Sequence, residues 1–277
     1  MDNSDWFKIQ EIEDGIFSIE EPQHVRCFLI RGKTCAALID TGMGFLNIER
    51  AIKPLVETPV TVFNTHWHFD HIGGNAGFRN IGIAGIEERL ITERIPNATL
   101  MPLYIIPCVE KGIPFPGKFV PEKYEINSPP ATFTFDDGDI FDLGGRIIRA
   151  ISTPGHTHGS FSFLDSQTRS LFCGDLIYKG TLYAHFMDSD IDEYIDTLEQ
   201  LEADKDEFAN LYPGHGDKLV APESLSAALS AFQSVKRDSP NSRPAPEWIE
   251  SVLRYDFEDF SILTKAAGFP GIDLLKS

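Results

Sequence analysis

Thr65-His66-Trp67-His68-Phe69-Asp70-His71-Ile72-Gly73-Gly74 is the stretch from which the rest of the chain is read. It sets three histidines and an aspartate within six residues, in a chain that has only eight histidines. Imidazole and carboxylate are the donors that borderline divalent cations prefer. Alternation along an extended loop puts His66 and His68 on one side and lets Asp70 and His71 turn to a second position. Gly73-Gly74 removes side chains where the backbone has to pass close to the cluster.

Upstream, the pattern is that of strands. Apolar residues flank Asp14-Gly15 within Ile9–Ile19, and Arg31-Gly32-Lys33-Thr34 separates Val25–Ile30 from Cys35–Ile39, so two hairpins are expected. Asp40-Thr41-Gly42 closes the latter strand. Helical spacing over Phe45–Val56 and a short strand at Val60–Phe63 lead into the histidine run. Beyond it, Asn80–Ala84 reads as a strand and Gly85–Arg94 as a helix. Residues 95–130 are rich in proline with tyrosine and phenylalanine between, which suggests an ordered lid or substrate-binding insertion.

Strands return at Thr132–Phe135, Ile140–Leu143, Arg146–Ser152, Ser160–Leu164 and Ser170–Cys173. Ile191, Tyr194, Ile195, Leu198 and Leu201 recur at helical spacing behind a Ser189 or Asp190 cap. Leu211-Tyr212 ends a strand and Pro222–Val235 is a helix. From Asn241 a proline-punctuated helix and an apolar run are expected. Strand sets followed by helices imply a layered α/β domain, taken as one unit over 1–277.

Three later strand ends each carry a metal-binding side chain beside glycine. They are Gly155-His156-Thr157-His158-Gly159, Gly174-Asp175 and Gly214-His215-Gly216. The set H-x-H-x-D-H, G-H, G-D and G-H, in that order, resembles the metallo-β-lactamase superfamily from about Gly15 to Gly216, with Leu38-Ile39-Asp40-Thr41-Gly42 matching its early strand-end motif. The resemblance implies an αβ/βα sandwich, two mixed β-sheets packed face to face with helices outside. It implies His66, His68 and His156 on one metal, Asp70, His71 and His215 on a second, and Asp175 bridging. Asp40 would lie beneath them as an orienting partner.

Within the family, the presence of Asp175 points away from β-lactam hydrolases and His68 away from flavin-partnered di-iron proteins, which carry glutamate there. The pattern is similar to N-acyl homoserine lactonases, glyoxalase II-like thioesterases and RNase Z-like nucleases, the acidic charge speaking against the last, and Tyr178, three residues after Asp175, resembles the lactonase tyrosine that contacts a substrate carbonyl. Tyr178 and Asp70 are therefore the catalytic candidates. His158 and His185 are candidates for the substrate pocket, Cys173 reads as a packing residue, and His24 as structural or exposed.

The implied cofactor is two divalent ions about 3.5–4 Å apart, zinc first, manganese or iron next, sharing a water whose pKa falls toward 7. The hydroxide between them would open an ester-type bond, a lactone or an acyl thioester, whose apolar acyl part packs on residues 95–130. Hydrolysis of a β-lactam or a phosphodiester, or iron-dependent redox chemistry, are the other readings of the same ligands. A formal net charge of -18 disfavours nucleic acid, as no basic patch offsets it. Without an apolar leader or membrane span, the expected location is cytoplasmic. Cys27, Cys35, Cys108 and Cys173 show no metal-binding spacing and are expected as reduced thiols. Whether the chain forms an oligomer is left open.

Overall fold

The computed structural model describes residues 6–237, 242–245 and 252–275. Its contacts divide the chain into two compact units, one ending at Arg149 and joined by Leu274, the other running from Ala150 to Asp273.

The first unit is organised by a mixed sheet of seven strands among the described residues, in sequence order: β1 (Lys8–Glu13), β2 (Ile16–Glu21), β3 (Val25–Arg31), β4 (Ala36–Ile39), β5 (Val60–Phe63), β6 (Asn80–Ala84) and β7 (Phe133–Phe135). Strands β1 to β4 are antiparallel, joined by the hairpins that Asp14-Gly15 and Arg31-Gly32 announce, whereas β4 to β7 are parallel. Strands β3 and β4 are apolar at almost every position because both faces are covered, and Leu29, Ile30, Leu38 and Ile39 are buried. Further on, β8 (Ile140–Asp142) pairs antiparallel with the start of β9 (Ile147–Ser152).

Phe45–Val56 shortens to α1 (Ile48–Ile52), capped by Asn47, with Pro54 tightening the next three residues into a 3-10 turn. The helix expected over Gly85–Arg94 is instead two separate 3-10 turns, Gly85–Glu87 and Leu90–Thr92. Residues 95–130 hold more regular structure than their prolines suggest: α3 (Asn97–Leu100), a π turn and α4 (Ile106–Glu110) run on from one another. Pro102 and Pro107 lie in the first two positions of their turns, where a missing N–H costs little.

Rings fasten this segment to the first unit. Phe45 meets Phe119 at 4.5 Å and Tyr124 at 5.0 Å between centroids, and Phe115 stacks on Phe119 at 5.0 Å. His24 is buried and holds the segment by both nitrogens, with Nδ1 at 2.5 Å from the Tyr104 hydroxyl and Nε2 at 2.7 Å from the Pro114 carbonyl.

In the second unit β9 continues into a sheet with β10 (Phe161–Asp165), β11 (Ser170–Gly174) and β13 (Asn210–Pro213). Strands β11 and β13 are parallel, with Gly174 opposite Pro213, while β10 and β11 are antiparallel. Helices α5 (Ile191–Ala203) and α6 (Ser224–Lys236) put Tyr194, Leu198, Leu225 and Phe232 into the core with Leu171, Cys173 and Leu211. Asp190 is the cap of α5, accepting from the amides of Asp192 and Glu193.

A further sheet differs from the sequence reading: β12 (Gly180–Ala184), β16 (Phe260–Lys265), β15 (Val252–Asp256) and β14 (Ser242–Pro244) pair in that order. The described residues after Asn241 thus hold three strands joined by turns and irregular chain, and no helix. The expected helix there falls largely on residues outside the described ones. Among the described residues no helix is long and apolar enough to cross a membrane.

One buried acid ties local chain to fold in the first unit. Glu21, at the end of β2, accepts from the Trp6 indole at 2.9 Å and from the Met43 amide at 2.7 Å. Burial pushes its carboxyl up to about 7, against the downward pull of those hydrogen bonds and one from the Gly44 amide. An unfolded chain carries this group near 4.5, so between about pH 4.5 and 7 the folded state holds the extra proton. Its contribution therefore falls as pH rises through that window. The melting temperature of wild-type protein should decline more steeply between pH 5 and 8 than that of Glu21→Gln; parallel curves would show that Glu21 is not the titrating group.

Candidate metal centre

The first unit brings together the run that opened the sequence reading. Strands β4 and β5 are parallel neighbours with Ile39 opposite Phe63, so Asp40 and the residues from Asn64 onward leave the sheet side by side, at the strand ends where open α/β sheets build sites. The chain bends at Thr65 and His66, is extended at His68, then closes into the helical turn α2 (Phe69–Ile72). That switch turns Asp70 and His71 away from the line of His66 and His68. Donor atoms of His66 lie within 4.8 Å of those of His68 and of His71, and His71 Nε2 is 3.8 Å from Asp70 Oδ2. The three imidazoles are buried; the Asp70 side chain keeps 14% of its surface in solvent.

Asp40 sets the ring orientations. Its Oδ1 accepts from the Thr65 amide at 2.7 Å, and its Oδ2 from the Thr65 hydroxyl at 2.8 Å and from His71 Nδ1 at 2.8 Å. Because the hydroxyl proton of Thr65 goes to Asp40, its lone pairs face His66 Nδ1 at 3.0 Å. Both histidines therefore carry a proton on Nδ1, which leaves Nε2 as the nitrogen able to ligate. Asp40 has φ of +60°, a left-handed conformation that aspartate and asparagine tolerate better than most residues.

In the second unit, His156 follows β9, while Asp175 and His215 follow the parallel strands β11 and β13. Asp175 turns Oδ2 to His156 Nε2 at 3.6 Å and Oδ1 to His215 Nε2 at 3.3 Å. His156 Nδ1 lies 2.8 Å from the Tyr183 carbonyl, which can only accept, so its proton too is on Nδ1. Helix α5 holds these loops: the Tyr194 hydroxyl reaches the Asp175 and Leu176 carbonyls at 2.9 and 2.8 Å, and Thr197 bonds the Pro154 carbonyl at 2.7 Å. Ser189, just before the cap, donates to the His156 carbonyl at 2.7 Å. Nothing in the sequence distinguished Tyr194, Thr65, Ser189 and Thr197 as supports; Tyr194 shows only helical spacing, and its hydroxyl's destination is set by tertiary structure.

Within each unit the donors are of the kinds that divalent ions take, imidazole nitrogen and carboxylate oxygen. A metal bound at about 2.1 Å to two donors in tetrahedral geometry sets them about 3.4 Å apart, near the separations between imidazole nitrogen and carboxylate oxygen here.

The remaining candidates are dispersed. Tyr178 is buried and its hydroxyl donates to the Thr181 carbonyl at 2.6 Å, so a substrate carbonyl would compete for that proton. Its ring lies 5.6 Å from that of His215. His158 is exposed, with Nδ1 at 2.7 Å from Glu193. His185 is fully buried after β12, stacked on Phe186 at 4.5 Å, which does not place it on an open pocket wall. Cys173 is a buried member of the second unit's core, its thiol pushed up to about 12 by burial and then by the charge of Asp175. The cysteines are free thiols and only Cys35 is not fully buried.

The sequence profile of the Metallo-beta-lactamase superfamily matches residues 21–215, which takes in every ligand candidate of both units. The chain belongs to that superfamily. It is 27% identical over 230 residues to the human acyl-coenzyme A thioesterase MBLAC2, covering 76% of this chain and 81% of that protein. It is 25% identical over 190 residues to an atrochrysone carboxyl ACP thioesterase of Aspergillus fumigatus, covering 65% of this chain and 46% of that one. Among solved structures, a metallo-beta-lactamase from Pontibacter korlensis superposes with a TM-score of 0.61 at 20% identity, covering 82% of this chain and 99% of its own, a likeness of fold.

Asp40→Asn tests the tautomer argument. Asparagine tolerates the positive φ and keeps an acceptor for the Thr65 amide, but turns an NH2 toward His71 Nδ1. That favours the proton on Nε2 and removes the lone pair offered to a metal. Divalent-metal affinity, measured by chelator competition, should fall by about 10–100-fold with the far-ultraviolet spectrum unchanged; wild-type affinity would show that Asp40 does not set the tautomer.

Proposed function

We propose that this member of the superfamily is a dinuclear metal-dependent hydrolase of acyl thioesters. In this reading His66, His68 and His156 hold one divalent ion, Asp70, His71 and His215 the other, and Asp175 bridges them. Zinc is the first candidate by donor type, with manganese or iron as alternatives. The observation that carries the reading is Asp175, whose two oxygens each face a different imidazole. A carboxylate so placed suits two ions rather than one. A thioester is preferred to a lactone because both relatives compared above are named as thioesterases.

Bound metals would supply a water acidic enough to attack near neutral pH and a Lewis acid for the carbonyl oxygen. The protein's own part is orientation and proton transfer. Nδ1–H bonds to Thr65, Asp40 and the Tyr183 carbonyl keep three imidazoles aimed by Nε2. Asp70 retains contact with solvent, so it is placed to take the proton of the attacking water and return it to the leaving thiolate. The products are a carboxylic acid and a thiol, with no serine or cysteine nucleophile required. The acyl part would pack along residues 95–130, which reach the metal-binding loop through the Tyr104 ring on Phe69 at 5.2 Å and expose Ile106, Val109 and Val120.

Purified protein loaded in turn with zinc, manganese and iron should release thiol from acyl-coenzyme A esters faster than it opens lactones or a bis-nitrophenyl phosphate, and chelation should abolish the activity. Faster turnover of a chromogenic cephalosporin would replace the thioesterase reading with β-lactam hydrolysis.

Tyr178→Phe provides a separate check, because the hydroxyl is engaged by Thr181. Turnover should fall by less than about tenfold, short of the 10²–10³ that a lost oxyanion donor costs, while the melting temperature drops. A larger loss in rate with metals retained would restore Tyr178 as a substrate contact.

A further inference from the structure

The polar network around the metal-binding loop extends well past Asp40. The backbone carbonyl of His71 accepts from the Thr41 amide at 2.8 Å and from Asn64 Nδ2 at 3.1 Å. Asn64 Oδ1 in turn accepts from Asn75 Nδ2 at 3.0 Å, and Asn75 Oδ1 lies 2.8 Å from the Thr41 hydroxyl. The second proton of the Asn75 amide goes to Ser128 Oγ at 3.0 Å, and Ser128 passes its own proton to the Pro129 carbonyl at 3.0 Å. Thr41, Asn64 and Asn75 are fully buried. Both donors and the acceptor of Asn75 thus have destinations, which fixes the orientation of its amide.

Ser128 stands at the end of the 95–130 segment. Four residues earlier, the Tyr124 hydroxyl donates to the Met43 carbonyl at 2.7 Å, beside the Gly42 carbonyl that accepts from the Gly73 amide at 2.8 Å. The close of the segment therefore grips the metal-binding loop twice, directly at Asn75 and through residues 42–43 at Gly73.

We infer that Asn75 is a positioning residue coupling the 95–130 segment to the metal-binding loop, so that the packing of this segment sets divalent-metal affinity. The His71 ring is fixed at Nδ1 by Asp40 and at its backbone carbonyl by Thr41 and Asn64. A shift at Ser128 reaches that carbonyl through the two buried amides. Coupling of this kind is reciprocal: an occupant that orders the segment tightens metal binding, and bound metal stiffens the segment. The inference rests on the metal-binding reading above, but not on which ester is cleaved.

Ser128→Ala removes the far end of the relay and touches none of the ligands. Metal release to an excess of chelator, followed on zinc-loaded protein, should be about fivefold faster, the effect of one hydrogen bond. Ser128→Thr keeps the hydroxyl and should release metal at the wild-type rate. Asn75→Asp preserves shape but loses both donors, and should exceed Ser128→Ala. A Ser128→Ala protein that melts earlier without its metal, yet releases metal at the wild-type rate, would make the network a plain anchor and overturn the inference. Wild-type protein that retains no divalent metal would overturn the metal reading and this one with it. Wild-type protein that holds metal, alongside variants that do not change release, would overturn the coupling alone.

Discussion

The carboxylate of Asp40 is the interaction on which the first unit's histidine cluster depends. It accepts three hydrogen bonds, two from Thr65 and one from His71, and through Thr65 it reaches His66 as well. One buried side chain thereby decides which nitrogen two imidazoles offer. Its left-handed backbone has an energetic cost, of order 1–3 kcal/mol for residues so held, which the three hydrogen bonds to its carboxylate help to offset. The fold supplies the adjacency, and the adjacency makes the chemistry local.

The second unit reaches the same end by different means. His156 is aimed by a backbone carbonyl, that of Tyr183, rather than by an acid. Asp175 and His215 owe their proximity to strand register, since Gly174 and Pro213 face each other across a parallel pair and the Gly214 amide bonds the Gly174 carbonyl at 2.9 Å. Tyr194 then clamps the turn after Asp175 from helix α5. Orientation by main chain is indifferent to side-chain identity at the supporting position, which leaves Tyr183 free to serve packing.

Much of this could be read from the sequence because metal donors are rare residue types crowded at short spacing. His66, His68, Asp70 and His71 identify themselves, and the glycine beside each of His156, Asp175 and His215 marks a strand end. The supports could not be read: Thr65, Asn64, Asn75, Ser128 and Tyr194 are ordinary residues whose roles exist only once distant strands meet. The hairpins at Asp14-Gly15 and Arg31-Gly32 were legible because turn chemistry is local. The strand β12 was not, as its pairing with β16 spans some eighty residues, and neither were β15 and β16, because short apolar runs do not distinguish strand from helix. Over Gly85–Arg94 the apolar spacing suggested a continuous helix where two tight turns suffice.

Gly44 and Gly73 have a consequence that bears on descent rather than on chemistry. A methyl group added to Gly44 would lie 2.2 Å from the Gly73 carbonyl oxygen, and one added to Gly73 would lie 2.3 Å from that of Met43. Each position is blocked by the other loop's main chain, so no compensating change of side chain can relieve the clash. Both glycines would then outlast the loss of the ligands themselves. In a descendant that had traded catalysis for another role, this pair would remain as a record of how two loops cross, and its presence in a sequence is a mark of architecture, not of activity.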